Sequence, residues 1–341
     1  MKIIVRMPNW IGDLVMATPL LTDLRRAFPE AEICAMCTAK LAPLLEHDPD
    51  INELFAFSRP SGWIKKEEGR DVVGTIRAGR YDLGILTTNS LSSAWWFWRG
   101  GVKRRLGFKT DGRWLFLNEG LPLPKTIEEQ HLVLTYKALL EPLGISPSAT
   151  KPRLYLQPDE IEAARALLAK RGVPPGAKIV GVNPGAAYGS AKCWLPERFR
   201  EVIERLLEDP NLYVLCFGDS SGAPLVKQIC SGLPNRVINL AGGTTLRELV
   251  ALISLCDVVL TNDSGPMHIA AAMKRPLVAI FGSTSDLKTG PYGEATVIHK
   301  HVFCSPCYLK ECPIDLRCMS RITASEVYSA LLAKLSSAAP R

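Results

Sequence analysis

The chain has 341 residues, more than one compact core usually organises and suited to two domains of ordinary size. It is 47% hydrophobic and 22% charged, which excludes collagen-like, low-complexity and wholly disordered chains. Its net charge of +7 suits an anionic substrate or a membrane surface but is too small to argue for nucleic acid, and there is no RNP, zinc-finger or helix-turn-helix signature.

In chain order, the opening Met1-Lys2-Ile3-Ile4-Val5-Arg6-Met7-Pro8 is a short apolar run broken by proline, so it reads as a first strand and not as a secretory leader. No segment approaches the roughly 20 uncharged apolar residues of a membrane span. A cytoplasmic enzyme that touches a membrane from the side is the expectation. Further strands are predicted at 31–36, 53–57 and 82–87, with helices at 14–27, 39–46 and 128–140. A connection over 141–158 follows, rich in Pro and Ser (Pro142, Ser146, Pro147, Ser148, Pro152, Pro158). Beyond it, strands at 178–183, 212–217, 236–240, 257–261, 276–281 and 295–299 alternate with helices at 159–171, 196–208, 222–231, 245–255 and 266–273. Strands such as Pro276-Leu277-Val278-Ala279-Ile280-Phe281 are apolar throughout and require cover on both faces, as in a parallel sheet. The pattern predicts an α/β protein of two doubly wound domains, 1–155 and 156–320, with ligands at strand carboxyl ends facing a cleft. The last stretch, 321–341, is expected to form a helix returning to the first domain.

The first βα connection is Pro8-Asn9-Trp10-Ile11-Gly12-Asp13. Gly12 permits a tight turn, and Asp13 lies where a helix dipole keeps a carboxylate ionised and able to accept a proton from a hydroxyl. Asp is also a common N-cap, and spacing alone favours that role. The G-x-G-x-x-G dinucleotide fingerprint is missing from this turn. In the second half, Pro184-Gly185-Ala186-Ala187-Tyr188-Gly189-Ser190-Ala191-Lys192-Cys193-Trp194 is long for a βα loop. Its small residues let main-chain N–H groups surround an anion, and Lys192 can face a leaving phosphate. A lysine on a loop is ordinarily a solvated surface group; the loop's length argues for more. Asn262-Asp263-Ser264-Gly265-Pro266-Met267-His268 specifies a helix start, with Ser264 or Gly265 as cap and Pro266 first in the helix. The N–H groups of Met267 and His268 would then be free for a phosphate. Gly282-Ser283-Thr284-Ser285 is a third loop of this kind.

Asn89 to Arg99 contains Ser93 and the aromatic run Trp95-Trp96-Phe97-Trp98, followed by Lys103, Arg104, Arg105, Lys109 and Arg113. Four adjacent aromatics cannot all face one core, so some reach the surface, where a neighbouring basic run suits lipid headgroups. A core helix followed by a solvated loop explains them equally. Cys304, Cys307, Cys312 and Cys318 have the density of a structural zinc loop, against which stand Cys312-Pro313 and the uneven spacing; a compact loop of buried thiols is the alternative.

The segments Pro8–Asp13, Asn183–Trp194 and Asn262–His268, in this order, resemble those of glycosyltransferase family 9, the ADP-heptose:lipopolysaccharide heptosyltransferases. That resemblance implies a GT-B fold, with acceptor on the first domain and nucleotide sugar on the second. It implies inverting transfer of L-glycero-D-manno-heptose from ADP-heptose to the first heptose of the lipopolysaccharide inner core, at the cytoplasmic face of the inner membrane and without metal in the chemistry. By the same resemblance Asp13 would be the general base, and Lys192 would contact phosphate and sugar. Gly12, Gly185, Ala186, Asp219, Leu246, Asp263, Ser264, Gly265 and His268 would complete the donor site. Asn89, Ser93, Arg99 and Arg105 would face the lipid-linked acceptor. A nucleotide-sugar epimerase and a nucleotide-binding sensor are the competing readings; the first would act without an acceptor, and the second would bind without product.

Overall fold

The computed structural model describes residues 1–58 and 72–337, and divides into two compact units, Met1–Tyr155 and Leu156–Arg341. The first runs β1 (Lys2–Arg6), α1 (Ile11–Ala27), β2 (Glu32–Thr38), β3 (Glu53–Phe57), α2 (Val72–Gly79), β4 (Leu83–Leu86), α3 (Leu91–Arg99), β5 (Arg104–Phe108), β6 (Glu119–Leu121) and α4 (Leu132–Ala138). The second runs α5 (Pro158–Lys170), β7 (Lys178–Asn183), α6 (Pro196–Leu206), β8 (Leu212–Cys216), α7 (Ala223–Cys230), β9 (Val237–Asn239), α8 (Leu246–Ser254), β10 (Val258–Asn262), α9 (Gly265–Ala272), β11 (Leu277–Phe281), α10 (Asp286–Thr289), β12 (Thr296–His299), α11 (Arg317–Ser320) and α12 (Ala324–Ser337).

All ten strand pairings are parallel. The sheets are ordered β3-β2-β1-β4-β5-β6 and β12-β11-β10-β7-β8-β9. Counted within its own unit, each reads 3-2-1-4-5-6, the doubly wound dinucleotide-binding order. That order reverses between β1 and β4 in one sheet and between β7 and β10 in the other. Crevices at such reversals, outside the strands' carboxyl ends, are where this topology places ligands. The central strands bear out their apolar sequences: Ile3, Ile4 and Val5, and the whole of β10 and β11, are buried.

Helix α1 carries Pro19 in its interior, which removes a backbone donor and leaves the Val15 carbonyl without its i+4 partner. The Thr18 hydroxyl donates to that carbonyl at 2.8 Å and accepts from the Arg153 N–H at 3.2 Å. The Pro/Ser-rich connection is likewise tied down. Buried Lys137 donates to the carbonyls of Ser148 and Thr150, both at 2.8 Å, whose hydroxyls donate to buried Asp23 at 2.7 and 3.0 Å.

Two expectations are corrected. Strands β5 and β6 are additional, and their sequences disguise them: Arg104 of β5 pairs with Glu119 of β6 at 2.5 Å, so the polar residues satisfy each other across the sheet edge. The helix expected at 39–46 is a 3₁₀ turn, Ala42–Leu45. The carboxy-terminal helix packs on the second unit's own α6, β10 and β11. Its Val327 and Leu331, one helical turn apart, are buried in the core that holds Trp194 and Phe199. The Ile322 carbonyl just before it accepts from Trp194 Nε1 at 3.1 Å and from the Arg198 guanidinium. Residues 338–341 lie outside the described residues.

One buried acid gives the first unit a pH signature. Burial pushes the Asp48 carboxyl up to about 6 from 3.8, opposed by the Asp50 N–H it accepts and reinforced by the Asp50 charge. The native state therefore binds this proton more tightly than the unfolded chain, and stability falls as pH rises from 3.8 to about 6. Asp48→Asn, which keeps the acceptor, is expected to stabilise the protein near neutral pH by about 2–3 kcal/mol. Thermal melts should show that gain vanish in acid below the unfolded value.

Candidate functional site

In the second sheet, the reversal point gathers three loops. Asn183 ends β7 and donates through Nδ2 to the Gly185 carbonyl at 3.0 Å and to Ser264 Oγ at 3.2 Å, joining the first loop to the second. Asn262 ends β10 and makes the reciprocal link, donating to the Pro184 carbonyl at 2.6 Å and accepting from the Trp194 N–H at 3.1 Å. Between these braces Lys192 Nζ lies 2.5 Å from Asp263 Oδ2, with side chains 14% and 5% exposed. The same oxygen accepts the Thr284 hydroxyl at 2.6 Å, bringing in the loop after β11. Two donors hold the carboxylate, and the ammonium keeps further N–H groups for a ligand. Ser283 adds a buried hydroxyl that has no hydrogen-bond partner among the described residues.

The long loop is clamped by the cysteine segment. A Cβ on Gly189 would lie 2.3 Å from the Lys310 carbonyl oxygen, so only glycine allows the two backbones to meet there. That carbonyl accepts the Ala191 N–H at 2.9 Å, and Tyr188 donates to the Tyr308 carbonyl at 2.7 Å. The Tyr188 ring also lies 5.0 Å from Lys192 Nζ. Lys192 is thus positioned by its ion pair, by an aromatic face and by a braced backbone.

In the first sheet, β1 leads into α1 through Pro8-Asn9-Trp10, with Trp10 in extended conformation at the cap and 61% exposed. Asp13 falls in the first turn, where the exposed N–H groups and the helix dipole favour its negative charge. The Tyr136 hydroxyl of α4 donates to Asp13 Oδ1 at 3.1 Å. Burial first, and then the Asp13 charge, raises the Tyr136 phenol well above its ordinary value, so the tyrosine stays a donor. Across the reversal, β4 ends at Leu86; the next residue, Thr87, donates through its hydroxyl to the Arg6 carbonyl at 2.6 Å, and Asn89 follows, exposed.

The glycosyltransferase family 9 (heptosyltransferase) model matches residues 70–317. The chain belongs to glycosyltransferase family 9. It is 32% identical to lipooligosaccharide heptosyltransferase 2 of Haemophilus influenzae over 314 residues, 87% of this chain and 88% of that one. It is also 32% identical to lipopolysaccharide heptosyltransferase 2 of Escherichia coli K12 over 301 residues, 85% of each. Among solved structures, E. coli ADP-heptose LPS heptosyltransferase II superposes with a TM-score of 0.82 at 30% identity, covering 98% of this chain and 99% of that one. The chain is accordingly a glycosyltransferase of GT-B type, built from two Rossmann-like units.

The remaining predicted site residues of this family 9 enzyme fall into two groups. Along the carboxyl edge of the second sheet, Asp219 follows β8, the position where dinucleotide sheets carry a ribose-binding carboxylate. Its Oδ1 also accepts the Gly222 N–H at 2.7 Å and the Ser221 hydroxyl at 2.8 Å. Leu246 opens α8 behind a capping box made by Thr245 and Glu248. Ser264 is the N-cap residue of α9, yet its hydroxyl faces Thr261 and Asn183, and the Met267 N–H is taken by the Ser264 carbonyl at 3.1 Å. The expectation of a free Met267 N–H is corrected; Gly265 heads the helix, and His268 is buried in its first turn.

In the first unit, several candidate acceptor residues serve the fold. Ser93 is buried with its hydroxyl between Thr88 and Ser90. Arg105 donates to the carbonyls of Val102, Lys103 and Phe116. Arg113 is buried and donates to Phe108 and Thr88 carbonyls; burial lowers it to about 10. Arg99 stacks on Trp98. The aromatic run divides as its length demands: Phe97 is buried, Trp96 packs edge-on against Phe57, and Trp95 and Trp98 are exposed. Sequence reasoning gives Tyr136, Thr284 and Tyr188 no role of their own, although Thr284 and Tyr188 lie in two of the loops it marks, 282–285 and 184–194. Burial, then the neighbouring cysteines, raises the Cys318 thiol, and all four late cysteines are free. Among the described residues, the metal-ligating atoms that come within 4.8 Å of one another in a group of three or more belong to other side chains, Asp286, His299 and His301.

Proposed function

We propose that this transferase moves L-glycero-D-manno-heptose from ADP-heptose to the first heptose of a lipopolysaccharide inner core, with inversion at the anomeric carbon. The observation that carries the reading is the pairing of a helix-initial carboxylate at one sheet reversal with a braced lysine at the other, in a chain 32% identical to heptosyltransferases 2. In a single displacement Asp13 accepts the proton of the acceptor hydroxyl as its oxygen attacks the anomeric carbon. The bond from that carbon to the diphosphate breaks on the opposite side, which inverts the centre. Lys192 and backbone N–H groups near Gly185, Ala186 and Gly265 take up the charge of departing ADP, so no metal is needed in the step. Asp219 and Leu246 lie along the nucleotide end of the same edge.

The acceptor is lipid-linked, and the first unit has a surface for it. Trp95, Trp98, Trp114 and Leu115 are exposed, and Trp98 packs on Phe116 beside the Arg113–Leu115 turn. Aromatics of this kind settle at headgroup depth, which suits peripheral binding at the inner face of the inner membrane. Among the described residues no helix is long and apolar enough to cross a membrane.

The test is incubation with ADP-heptose and a lipid-linked acceptor bearing one heptose. ADP release matched by an acceptor mass gain of one heptose is expected. Turnover of ADP-heptose to an isomer without acceptor would replace this reading with epimerisation, and saturable binding without product would replace it with sensing.

A further inference from the structure

Past the donor loops, on the same edge of the second sheet, Asp286 opens α10 while His299 ends β12 and His301 follows two residues later. One ligand atom from each lies within 4.8 Å of the others. Asp286 Oδ1 is 3.0 Å from His299 Nδ1, and Asp286 Oδ2 is 3.9 Å from His301 Nε2. The two imidazole centroids are 3.9 Å apart. His301 holds φ at 41°, in the left-handed region that a histidine adopts infrequently.

The hydrogen bonds around His299 fix its tautomer. Its side chain is 2% exposed, and Nε2 lies 2.8 Å from Ser305 Oγ, whose hydroxyl donates to the Gly282 carbonyl. A hydroxyl has one proton, so Nε2 must supply the hydrogen of the His299–Ser305 bond. In the neutral ring this leaves Nδ1 as a lone pair facing a carboxylate oxygen 3.0 Å away. Two acceptors at that separation repel unless a cation lies between them. The same chain of bonds rules out a Ser–His–Asp nucleophile, because Ser305 has no proton directed at the ring.

We propose that Asp286, His299 and His301 bind one divalent transition-metal ion of the zinc type. Two imidazoles and a carboxylate are its usual nitrogen and oxygen ligands, and its bond lengths place tetrahedral ligand atoms roughly 3.4 Å apart. The separations of 3.0 and 3.9 Å bracket that value. Donation of the second ring N–H to Ser305 and on to Gly282 is the outer support that metal-bound histidines require. The ion fastens the end of β12 to the start of α10, two residues beyond Thr284, whose hydroxyl binds Asp263. It acts as a brace for the donor edge and takes no part in the transfer step.

The experiment uses the full chain, stripped with a chelator and titrated with Co²⁺ at neutral pH, followed by absorption. The expected result is one bound ion with ligand-field bands and no sulfur-to-cobalt charge-transfer band. Affinity should drop by about tenfold or more in His301→Ala and in Asp286→Asn, and should be unchanged in Cys304→Ser/Cys307→Ser. If a sulfur band also appears, His301→Ala must remove the sulfur-free component alone. No uptake, or uptake insensitive to both His301→Ala and Asp286→Asn, overturns the proposal; a proton then holds the position between Asp286 and His299.

Discussion

Asp13→Asn is expected to lower kcat for heptose transfer about a thousandfold, the typical effect of losing a positioned general base. The amide keeps the size of the carboxylate, its place in the first turn of α1 and an oxygen to accept the Tyr136 hydroxyl, so the fold has no reason to change. It loses the negative charge and with it the capacity to take a proton. ADP-heptose affinity should stay within about threefold, because the donor's charged end is assigned to the other sheet. Calorimetric binding of ADP-heptose beside a rate measurement separates the two quantities. Tyr136→Phe gives the graded counterpart: loss of one hydrogen bond to Asp13 should cost about tenfold in kcat with little change in KM. Full activity in Asp13→Asn would remove Asp13 from the chemistry and leave it as an acidic residue in the first turn of α1, whose cap is Trp10.

Those two residues mark how far the sequence is legible. Asp13 was visible because a short apolar strand is followed within a few residues by a proline, a glycine and an acid, a local pattern with few structural solutions. Tyr136 was not, since it meets Asp13 across 123 residues and sits on a helix whose sequence gives no sign of what it faces. The same contrast runs through the second unit. Lys192 stood out on an overlong loop, whereas its pairing with Asp263, and the Thr284 hydroxyl's with the same carboxylate, depend on the β7–β10–β11 order, which only the fold supplies. Central strands announced themselves through unbroken apolar runs. Strands β5 and β6 did not, because Arg104 and Glu119 meet across the sheet and make an edge look like a loop. Within the basic run after the aromatics, the partners of Arg105 and Arg113 were equally hidden: both donate to backbone carbonyls, a role that sequence does not reveal.

Lys192→Met should have two effects that a second substitution can separate. Methionine fills much of the same volume but leaves Asp263, nearly buried, without its cation. Breaking a buried pair by removing one partner costs about 3 kcal/mol, which for a unit of this size corresponds to a fall in melting temperature of roughly 6–12 °C. The transfer rate should fall about 100- to 1000-fold, because the charge proposed to meet the departing diphosphate is gone. Adding Asp263→Asn removes the stranded carboxylate and still lets Thr284 donate to the side-chain oxygen, so the double variant should recover most of the lost melting temperature. It should recover none of the rate. If both return together, Lys192 serves to neutralise Asp263 and the phosphate must be met by other groups. If the rate stays low after stability is restored, the lysine contributes to leaving-group departure in its own right, and Asp263 is the residue that aims it.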